Sequence, residues 1–401
     1  MLAVLSPGQG AQKPGFLSPW LDLPGARARL RWWSALAGVD LVHLGTTADA
    51  DEIKDTARTQ PLLVAAALLA AEHLPGGSPT GPRPGGLYDV AVAAGHSVGE
   101  LAAASLAGAL PAESAITLAA VRGREMAAAC AIEATGMAAV LGGDRDEVLA
   151  AIDSHGLHAA NHNGAGQIVA AGASDRLAKF AAEPPARARV AVLQVAGAFH
   201  TPYMATAEEA LASVAAGIIP ADPNRIVLSN LDGTAVDHGR ELLQRLVRQV
   251  TAPVRWDLCM RTLAELGVTG VLELPPAGTL AGLVKREFKE RGVPEIVTLR
   301  TPDDLPAARD LIARHGVAPR HEPTRQFRVV VSASAGTFEP AAGLAEGDQL
   351  TAGQVIGHVT TRQGPVEVTA HDAGVLTEWL AHHDDPVAPG QPLARISGSP
   401  L

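Results

Sequence analysis

The sequence of 401 residues is poor in the residue types that mark secreted, metal-binding and nucleic-acid-binding proteins. Its two cysteines, Cys130 and Cys259, form neither a disulfide framework nor a metal-binding spacing, so we expect no metal site. Acidic residues (42) outnumber lysine and arginine (32), which gives a net charge of −10. Because a phosphate-binding surface needs an excess of basic residues, we expect no nucleic-acid partner.

Long apolar runs are also missing, and so is a signal-peptide pattern at the start of the chain. The apolar stretch at residues 62–71 is much shorter than the ~20 residues that cross a bilayer, and a buried helix explains it better. No basic region precedes an apolar one in residues 1–8. We therefore expect a cytoplasmic protein without a membrane span.

The composition is that of a well-packed globular protein, and the length predicts more than one folded unit. Hydrophobic residues make up 47% of the chain and charged residues 18%. Prolines and charges at residues 314–326 predict a linker, and the Pro- and Gly-rich residues 75–86 predict a surface loop. The predicted domains are therefore residues 1–313 and residues 327–401.

Residues 1–313 have the pattern of an α/β fold. Apolar runs at residues 2–5 and 90–94 predict buried strands, and a helical pattern at residues 98–110 follows the second run. Between about residues 136 and 195, three predicted strands and two predicted helices form a smaller unit. Its β-α-β-β-α-β-like order is compatible with a ferredoxin-like subdomain.

Residues 327–401 have the texture of an all-β module, with short Val-rich runs between Gly and Pro residues. A weak internal repeat predicts that two similar halves pack as a small β-sandwich. The first copy covers residues 334–338, 346–348 and 352–356, and the second covers residues 372–376, 384–387 and 389–393.

The run GHSVGE at residues 95–100 stands between a predicted strand and a predicted helix. Glycines two positions before and two after Ser97 fit a nucleophile elbow, a strained turn that exposes the serine hydroxyl at a helix N-terminus. The alternative is a chance match, because G-x-S-x-G is frequent in chains rich in Gly and Ala. The strand and helix on either side favour a nucleophile for acyl transfer.

A serine nucleophile needs a base, and fourteen histidines are available. His200 ends an apolar run and precedes Thr201-Pro202, which places it at the end of a predicted strand. The residues alone leave a catalytic role and a packing role for His200 equally open. His96, next to the serine, is expected to pack structurally.

Five motifs occur in order: PGQGAQ at 7–12, GHSVGE at 95–100, RGREM at 122–126, GAFHT at 197–201 and PVRW at 253–256. Together they closely resemble the malonyl-CoA:acyl carrier protein transacylase family in its actinobacterial form, over roughly residues 1–310. The resemblance implies an α/β-hydrolase-like acyltransferase core with an inserted ferredoxin-like subdomain. Many family members have Glu-Val-Gly-Pro-Gly where residues 273–278 here read ELPPAG, as in the actinobacterial branch.

The resemblance also implies roles for single residues. Ser97 matches the acylated serine and His200 its base. Gln9 and Val98 match the positions whose backbone N–H groups form the oxyanion hole. The backbone carbonyl of Arg255 matches the group that orients the histidine, so no acidic third member is needed.

Three further positions concern the substrate. Arg122 matches the arginine that holds the malonyl carboxylate, a task for which a planar guanidinium with paired donors is suited. Without the family context an exposed helix arginine would be the better reading. Asn163 matches a position lining the site. Phe199 resembles the malonyl-selective branch, so we expect methylmalonyl-CoA to be a poor substrate.

The turns of residues 327–401 resemble a biotinyl/lipoyl-attachment domain, a barrel-sandwich of two halves that carries its cofactor on a hairpin lysine. The corresponding hairpin, residues 360–365, has no lysine, and none follows Lys289. We therefore expect no covalently bound biotin or lipoate and interpret the module as structural or docking.

The resemblance implies an [acyl-carrier-protein] S-malonyltransferase: malonyl passes from malonyl-CoA through malonyl-serine to the phosphopantetheine thiol of acyl carrier protein, in fatty acid biosynthesis. The alternatives are a polyketide-pathway acyltransferase, a serine esterase or thioesterase, and a scaffold without catalysis. We expect a monomer. Because acyl carrier proteins are acidic, as this chain is, docking requires a local basic patch, for which Lys285, Arg286 and Lys289 are candidates; a solvated helix face is the alternative.

Overall fold

The computed structural model describes residues 1–74, 90–316, 327–370 and 373–398. The chain divides into two compact units, Met1–Pro319 (the N-terminal unit) and Arg320–Leu401 (the C-terminal unit). The loop predicted at residues 75–86 lies outside the described residues, as does most of the predicted linker. The first two residues of that linker were assigned wrongly, because the last helix of the N-terminal unit continues to His315.

The N-terminal unit alternates strands and helices. Its strands are β1 (Leu2–Ser6), β2 (Val92–Gly95), β3 (Thr135–Gly142), β4 (His158–Gly164), β5 (Gln167–Ala173), β6 (Ala188–Val192), β7 (Ile226–Leu228), β8 (Gly270–Glu273) and β9 (Glu295–Thr298). Its α-helices are α1 (Ala26–Ala37), α2 (Leu41–Thr46), α3 (Thr56–Glu72), α4 (Gly99–Leu106), α5 (Ala112–Cys130), α6 (Arg145–Ser154), α7 (Ser174–Ala182), α8 (Ala205–Ala215), α9 (Gly239–Arg248), α10 (Trp256–Glu265), α11 (Thr279–Glu287) and α12 (Leu305–His315). No helix among the residues described is long and apolar enough to cross a membrane.

Five parallel strands form the central sheet, in the order β7-β2-β1-β8-β9. Strand β1 is buried over its whole length, which its unbroken apolar sequence predicts for a strand covered on both faces. Because side chains alternate, Leu2 and Val4 pack into the core that holds α3, α4 and α5, whereas Ala3 and Leu5 pack into the core that holds α10 and α11. The α/β class is confirmed.

A second, antiparallel sheet has the order β4-β5-β3-β6 and carries α6 and α7. Its residues follow α5 and end before the chain returns to α8, so it interrupts the α/β alternation. Strand β4 was not predicted. Its sequence, HAANHNG, has no apolar run, and the register of its pairing with β5 shifts twice.

In the part of the C-terminal unit that the structure describes there are eight short strands: β10 (Phe327–Val331), β11 (Gly336–Pro340), β12 (Gln349–Leu350), β13 (Val355–Thr361), β14 (Gly364–Thr369), β15 (Gly374–Trp379), β16 (Pro386–Val387) and β17 (Pro392–Gly398). They form two four-stranded sheets, β10-β17-β15-β12 and β14-β13-β11-β16, around an apolar core that includes Phe338, Ile356 and Leu376. Advancing every strand by four positions, cyclically, converts one sheet order into the other, as two structurally equivalent halves require.

Candidate active site

Ser97 occupies the sharp turn between β2 and α4. Its φ of 53° lies in the left-handed region, which is uncommon for a residue with a side chain. The flanking glycines are required by close backbone approach. A Cβ at Gly95 would lie 2.1 Å from the backbone of Gly99, and a Cβ at Gly99 would lie 2.1 Å from the carbonyl oxygen of Ser6. The geometry is that of a strained turn whose half-buried serine lines a cavity, as a nucleophile elbow requires.

His200 lies directly against this serine. Its Nε2 is 2.7 Å from Ser97 Oγ, and its Nδ1 donates to the backbone carbonyl of Gln249 at 2.8 Å. The prediction that the Arg255 carbonyl orients the histidine is therefore wrong. That carbonyl accepts the N–H groups of Leu258 and Cys259 at the start of α10, whereas the Gln249 carbonyl stands free of such bonding just past the end of α9.

The hydrogen bond to a carbonyl fixes the tautomer of His200. A carbonyl only accepts, so Nδ1 carries the hydrogen and Nε2 has a free lone pair facing the Ser97 hydroxyl. Burial, reinforced by the charge of Arg122, lowers the pKa of His200 to about 3. The imidazole is therefore neutral at physiological pH, as a general base must be before it takes a proton.

Arg122, on α5, is buried at this site with only neutral partners. Its Nη1 donates to Gln60 Oε1 at 2.7 Å, and its Nη2 donates to Gln249 Oε1 at 2.9 Å and reaches Ser97 Oγ at 3.4 Å. Its Nε has no partner, and across the described part of the chain no carboxylate pairs with it. Burial lowers the pKa of Arg122 to about 10, although the charge of nearby Glu100 opposes this shift, so Arg122 remains a cation at neutral pH with no carboxylate in direct contact among the described residues.

Of three backbone N–H groups around Ser97, one is hydrogen-bonded and two have no acceptor among the described residues. The Ser97 N–H donates to Asn230 Oδ1 at 2.8 Å. Among the described residues, the N–H groups of Gln9 and Val98 have no acceptor, and both residues line the same cavity as Ser97. Open N–H groups beside a nucleophile are what an oxyanion needs.

The cavity has a volume of about 410 Å³ and lies between the central sheet region and the antiparallel sheet. It brings together all but one of the residues predicted for the site: Gln9, Ser97, Val98, Arg122, Asn163, Phe199 and His200. Arg255 is absent from its lining. Met137 of β3, Val169 of β5 and Leu283 of α11 supply apolar walls.

His96 also lies in the cavity wall, where its ring edge packs against Trp256. Its Nε2 is 2.8 Å from Asn163 Oδ1, and the Asn163 amide donates to Gln167. The expectation that His96 only packs is thus incomplete, because the ring also positions a polar group that faces the cavity.

The buried polar residues at the site that were not predicted include Gln60, Glu100, Asn161, Asn230 and Gln249. Gln60 directly precedes the apolar stretch of α3, and Glu100 closes the GHSVGE motif, so both carried a sequence signal. Asn230 and Gln249 lie in stretches without a distinctive pattern.

Comparison with known proteins now adds to this geometry. Residues 5–317 match the family model described as acyl transferase domain. The chain is 53% identical over 305 residues to the malonyl CoA-acyl carrier protein transacylase of Mycobacterium tuberculosis, covering 76% of this chain and 98% of that protein. The chain belongs to the malonyl CoA-acyl carrier protein transacylase family.

Solved structures of this family superpose on the same part of the chain. The crystal structure of MCAT from Mycobacterium tuberculosis has a TM-score of 0.71 at 52% identity, covering 77% of this chain and 99% of that one. The complex of a type II PKS acyl-carrier protein with its malonyl-transacylase, PlMCAT:AntF, has a TM-score of 0.69 at 28% identity, with the same coverages. The acyl transferase match ends at residue 317, before the strands of the C-terminal unit.

Proposed function

We propose that this malonyl transacylase homologue moves the malonyl group of malonyl-CoA to the phosphopantetheine thiol of an acyl carrier protein, through an ester on Ser97. The observation that carries the proposal is Arg122, a buried cation that no carboxylate of the described residues contacts directly and whose Nη2 lies 3.4 Å from Ser97 Oγ. An unpaired buried guanidinium is costly unless an anion completes it. An acyl group that ends in a carboxylate supplies that anion beside the nucleophile.

The first half of the reaction acylates the serine. As Ser97 Oγ bonds to the thioester carbon, His200 Nε2 takes the hydroxyl proton, and the oxyanion accepts hydrogen bonds from the open N–H groups of Gln9 and Val98. Collapse of the intermediate breaks the carbon–sulfur bond. The sulfur of coenzyme A leaves with the proton that His200 returns.

The second half reverses these roles with a different thiol. The carrier protein's thiol gives its proton to His200, its sulfur attacks the malonyl ester, and Ser97 Oγ leaves and regains the proton. The Gln249 carbonyl accepts a hydrogen bond from Nδ1–H in both halves of the reaction. The imidazole therefore keeps Nε2 directed at Ser97 whether the ring is neutral or protonated. No carboxylate is required as a third member.

Arg122 supplies selectivity as well as binding. A malonyl carboxylate can meet the guanidinium with charge-assisted hydrogen bonds, whereas an acetyl group would leave it buried and unpaired, at a cost of about 3–5 kcal/mol. The neutral amides of Gln60 and Gln249 orient the group without neutralising it. Phe199, buried in the cavity wall, is proposed to crowd the substrate α-carbon and disfavour methylmalonyl, and Asn163 to border the acyl chain.

The same proposal assigns the finer fold classes. The order β7-β2-β1-β8-β9 with helices on both faces fits an α/β-hydrolase-like core, and the order β4-β5-β3-β6 with α6 and α7 fits a ferredoxin-like subdomain. The two sheets of the C-terminal unit fit a barrel-sandwich of the biotinyl/lipoyl type. Its β13–β14 hairpin presents Arg362 and Gln363 where such domains carry lysine.

The acyl carrier protein is proposed to dock beside α11. Thr279, Leu280 and Leu283 of this helix line the cavity, and Lys285 and Arg286 are exposed in its last turn. Together with Lys289 they form what we call the α11 basic patch, and within the described chain none of the three forms an ion pair. An acidic carrier surface would find free positive charge next to the entrance.

Fatty acid synthesis is the proposed pathway. Polyketide synthesis is the second candidate, favoured by the likeness to the transacylase solved with a type II PKS carrier.

Labelling with radioactive malonyl-CoA tests the proposed intermediate. The unaltered protein should retain label on Ser97 and pass it to holo acyl carrier protein, with little free malonate. Ser97→Ala should retain none, and turnover should fall by at least ~10⁴-fold because the nucleophile is lost. Label retained by Ser97→Ala would contradict the assignment, and rapid release of free malonate without transfer would indicate an esterase.

A further inference from the structure

Glu100 is a buried carboxyl that the proposed mechanism does not use. It lies in the first turn of α4, three residues after Ser97, and is 1% exposed. Its Oε1 accepts the backbone N–H of Asn230 at 3.1 Å, and its Oε2 accepts the side-chain amide of Gln249. Both carboxyl oxygens therefore act as acceptors, which an ionised carboxylate does and an amide in its place would not.

Gln249 connects this carboxylate to the acyl pocket. Its Nε2 faces three acceptors: Glu100 Oε2, the Ser97 carbonyl at 3.1 Å and Asn230 Oδ1 at 3.1 Å. Its Oε1 is thereby turned toward Arg122 Nη2, at 2.9 Å. Because the two ends of a carboxamide are nearly equal in shape, only these partners determine which end faces the arginine.

Glu100 is the only charged acceptor among the three. If Glu100 were replaced by an amide, an N–H donor would face either the Asn230 N–H or the Gln249 amide. The Gln249 amide would then lose the strongest of the hydrogen bonds that fix its orientation. A reversed amide would direct donors at the donors of Arg122 and displace the guanidinium from the pocket.

We propose that Glu100 is a positioning residue: by fixing the Gln249 amide it holds Arg122 toward the acyl group, and so it sets the preference for acyl groups that carry a carboxylate. This inference rests on the proposed malonyl transfer and deepens it. Glu100 does not touch the reacting atoms; it reaches Arg122 through the Gln249 amide, and its other partner is the backbone N–H of Asn230.

The charges around Glu100 give the inference a pH signature. Arg122 of α5 and Cys259 of α10 interact with Glu100 electrostatically, and His200 in turn lies beside Arg122. Burial raises the pKa of Glu100 to about 7 and that of Cys259 well above its ordinary value. Burial lowers the pKa of His200 to about 3. Between pH 5.5 and 8.5, Glu100 alone of this group changes charge.

The test measures kcat/KM for malonyl-CoA and acetyl-CoA and follows their ratio from pH 5.5 to 8.5. In the unaltered protein the ratio should fall as pH decreases through about 7, because protonated Glu100 no longer fixes Gln249. Glu100→Gln should lower the ratio at pH 8 by about tenfold or more, the effect of one charge-assisted hydrogen bond, and abolish its pH dependence. Glu100→Asp, which keeps the charge, should retain the pH dependence.

Glu273→Gln is the matched control. Glu273 is also a fully buried carboxyl of the N-terminal unit, but it accepts only backbone N–H groups, from Gly278, Leu280 and Ala281. The variant should lose thermal stability as any buried change of this kind does and keep the malonyl-to-acetyl ratio.

A ratio that is independent of pH in the unaltered protein would overturn the inference, and this measurement needs no variant to fold. A ratio unchanged in Glu100→Gln would overturn it as well. A ratio that rises would mean that Glu100 only repels the malonyl carboxylate. A separate measurement tests the proposed function. Glu100→Gln should still acquire label on Ser97 at saturating malonyl-CoA, whatever its malonyl-to-acetyl ratio of kcat/KM.

Discussion

The two units of the chain differ most in what they bury. Of the sixteen polar or charged side chains buried among the described residues, fifteen belong to the N-terminal unit and one, Ser332, to the C-terminal unit. Ser332 bonds within its own turn, to the carbonyl of Ser334. In the N-terminal unit, Gln60, Arg122 and His200 instead border one cavity. Buried polarity is costly, so its presence around this cavity supports the proposed active site.

Backbone strain follows the same division. Five non-glycine residues in the described ranges have a positive φ, and Ser97 and His200, the proposed nucleophile and base, are two of them. The C-terminal unit has one, Asp384, in a turn. A fold held by an apolar core alone accounts for the C-terminal unit, whereas the N-terminal unit contains strain and polar burial that its packing does not require.

Replacing Arg122 by an apolar residue should lower the activity without lowering the thermal stability. Arg122→Met is expected to lower kcat/KM for malonyl-CoA by about 10²–10³-fold, because a charged contact to the substrate is lost. The same variant should melt at an equal or higher temperature, since a buried charge in no direct ion pair is replaced by an apolar side chain of similar length. Kinetics and calorimetry on one preparation test both effects, and a lower melting temperature would show that Arg122 stabilises the fold despite having no direct ion pair.

The α11 basic patch can be tested by charge reversal. Lys285→Glu combined with Arg286→Glu should raise KM for acyl carrier protein about tenfold at low salt, with less effect at high salt, and leave KM for malonyl-CoA within about twofold. Arg27→Glu combined with Arg31→Glu on α1 is the matched control, because it changes net charge equally on exposed arginines that do not line the cavity. Equal effects of the two pairs would show that only net charge matters.

The smallest effect is expected from removing the C-terminal unit. A chain ending at residue 319 should transfer malonyl at a rate within about twofold of the whole chain, because the mycobacterial relative is matched over 98% of its length by the N-terminal part alone. A much slower truncated protein would assign the C-terminal unit a part in catalysis. Intact-mass measurement of the whole chain should find no biotinyl or lipoyl addition, and finding one would contradict the expectation drawn from the missing lysine.

The sequence predicted what short, local spacing encodes. Ser97 was predicted from the flanking glycines that share its turn, whereas the roles of Arg122 and His200 were predicted only from the family resemblance of ordered motifs, because their own neighbours left those roles open. The histidine-orienting carbonyl was assigned to Arg255 and lies at Gln249, since spacing along the chain does not tell which of several nearby carbonyls the fold turns toward a side chain. Strand β4 was missed because its sequence, HAANHNG, includes polar residues that line the cavity and therefore has no apolar run.

The hydrogen bond from His200 to the Gln249 carbonyl has a consequence for mutational studies. Every amino acid has a main-chain carbonyl, so no codon change at position 249 deletes this group. An alanine scan would report the loss of the Gln249 side chain and remain blind to the carbonyl. Its contribution becomes measurable only by changing the main chain itself, for example by replacing the following amide bond with an ester.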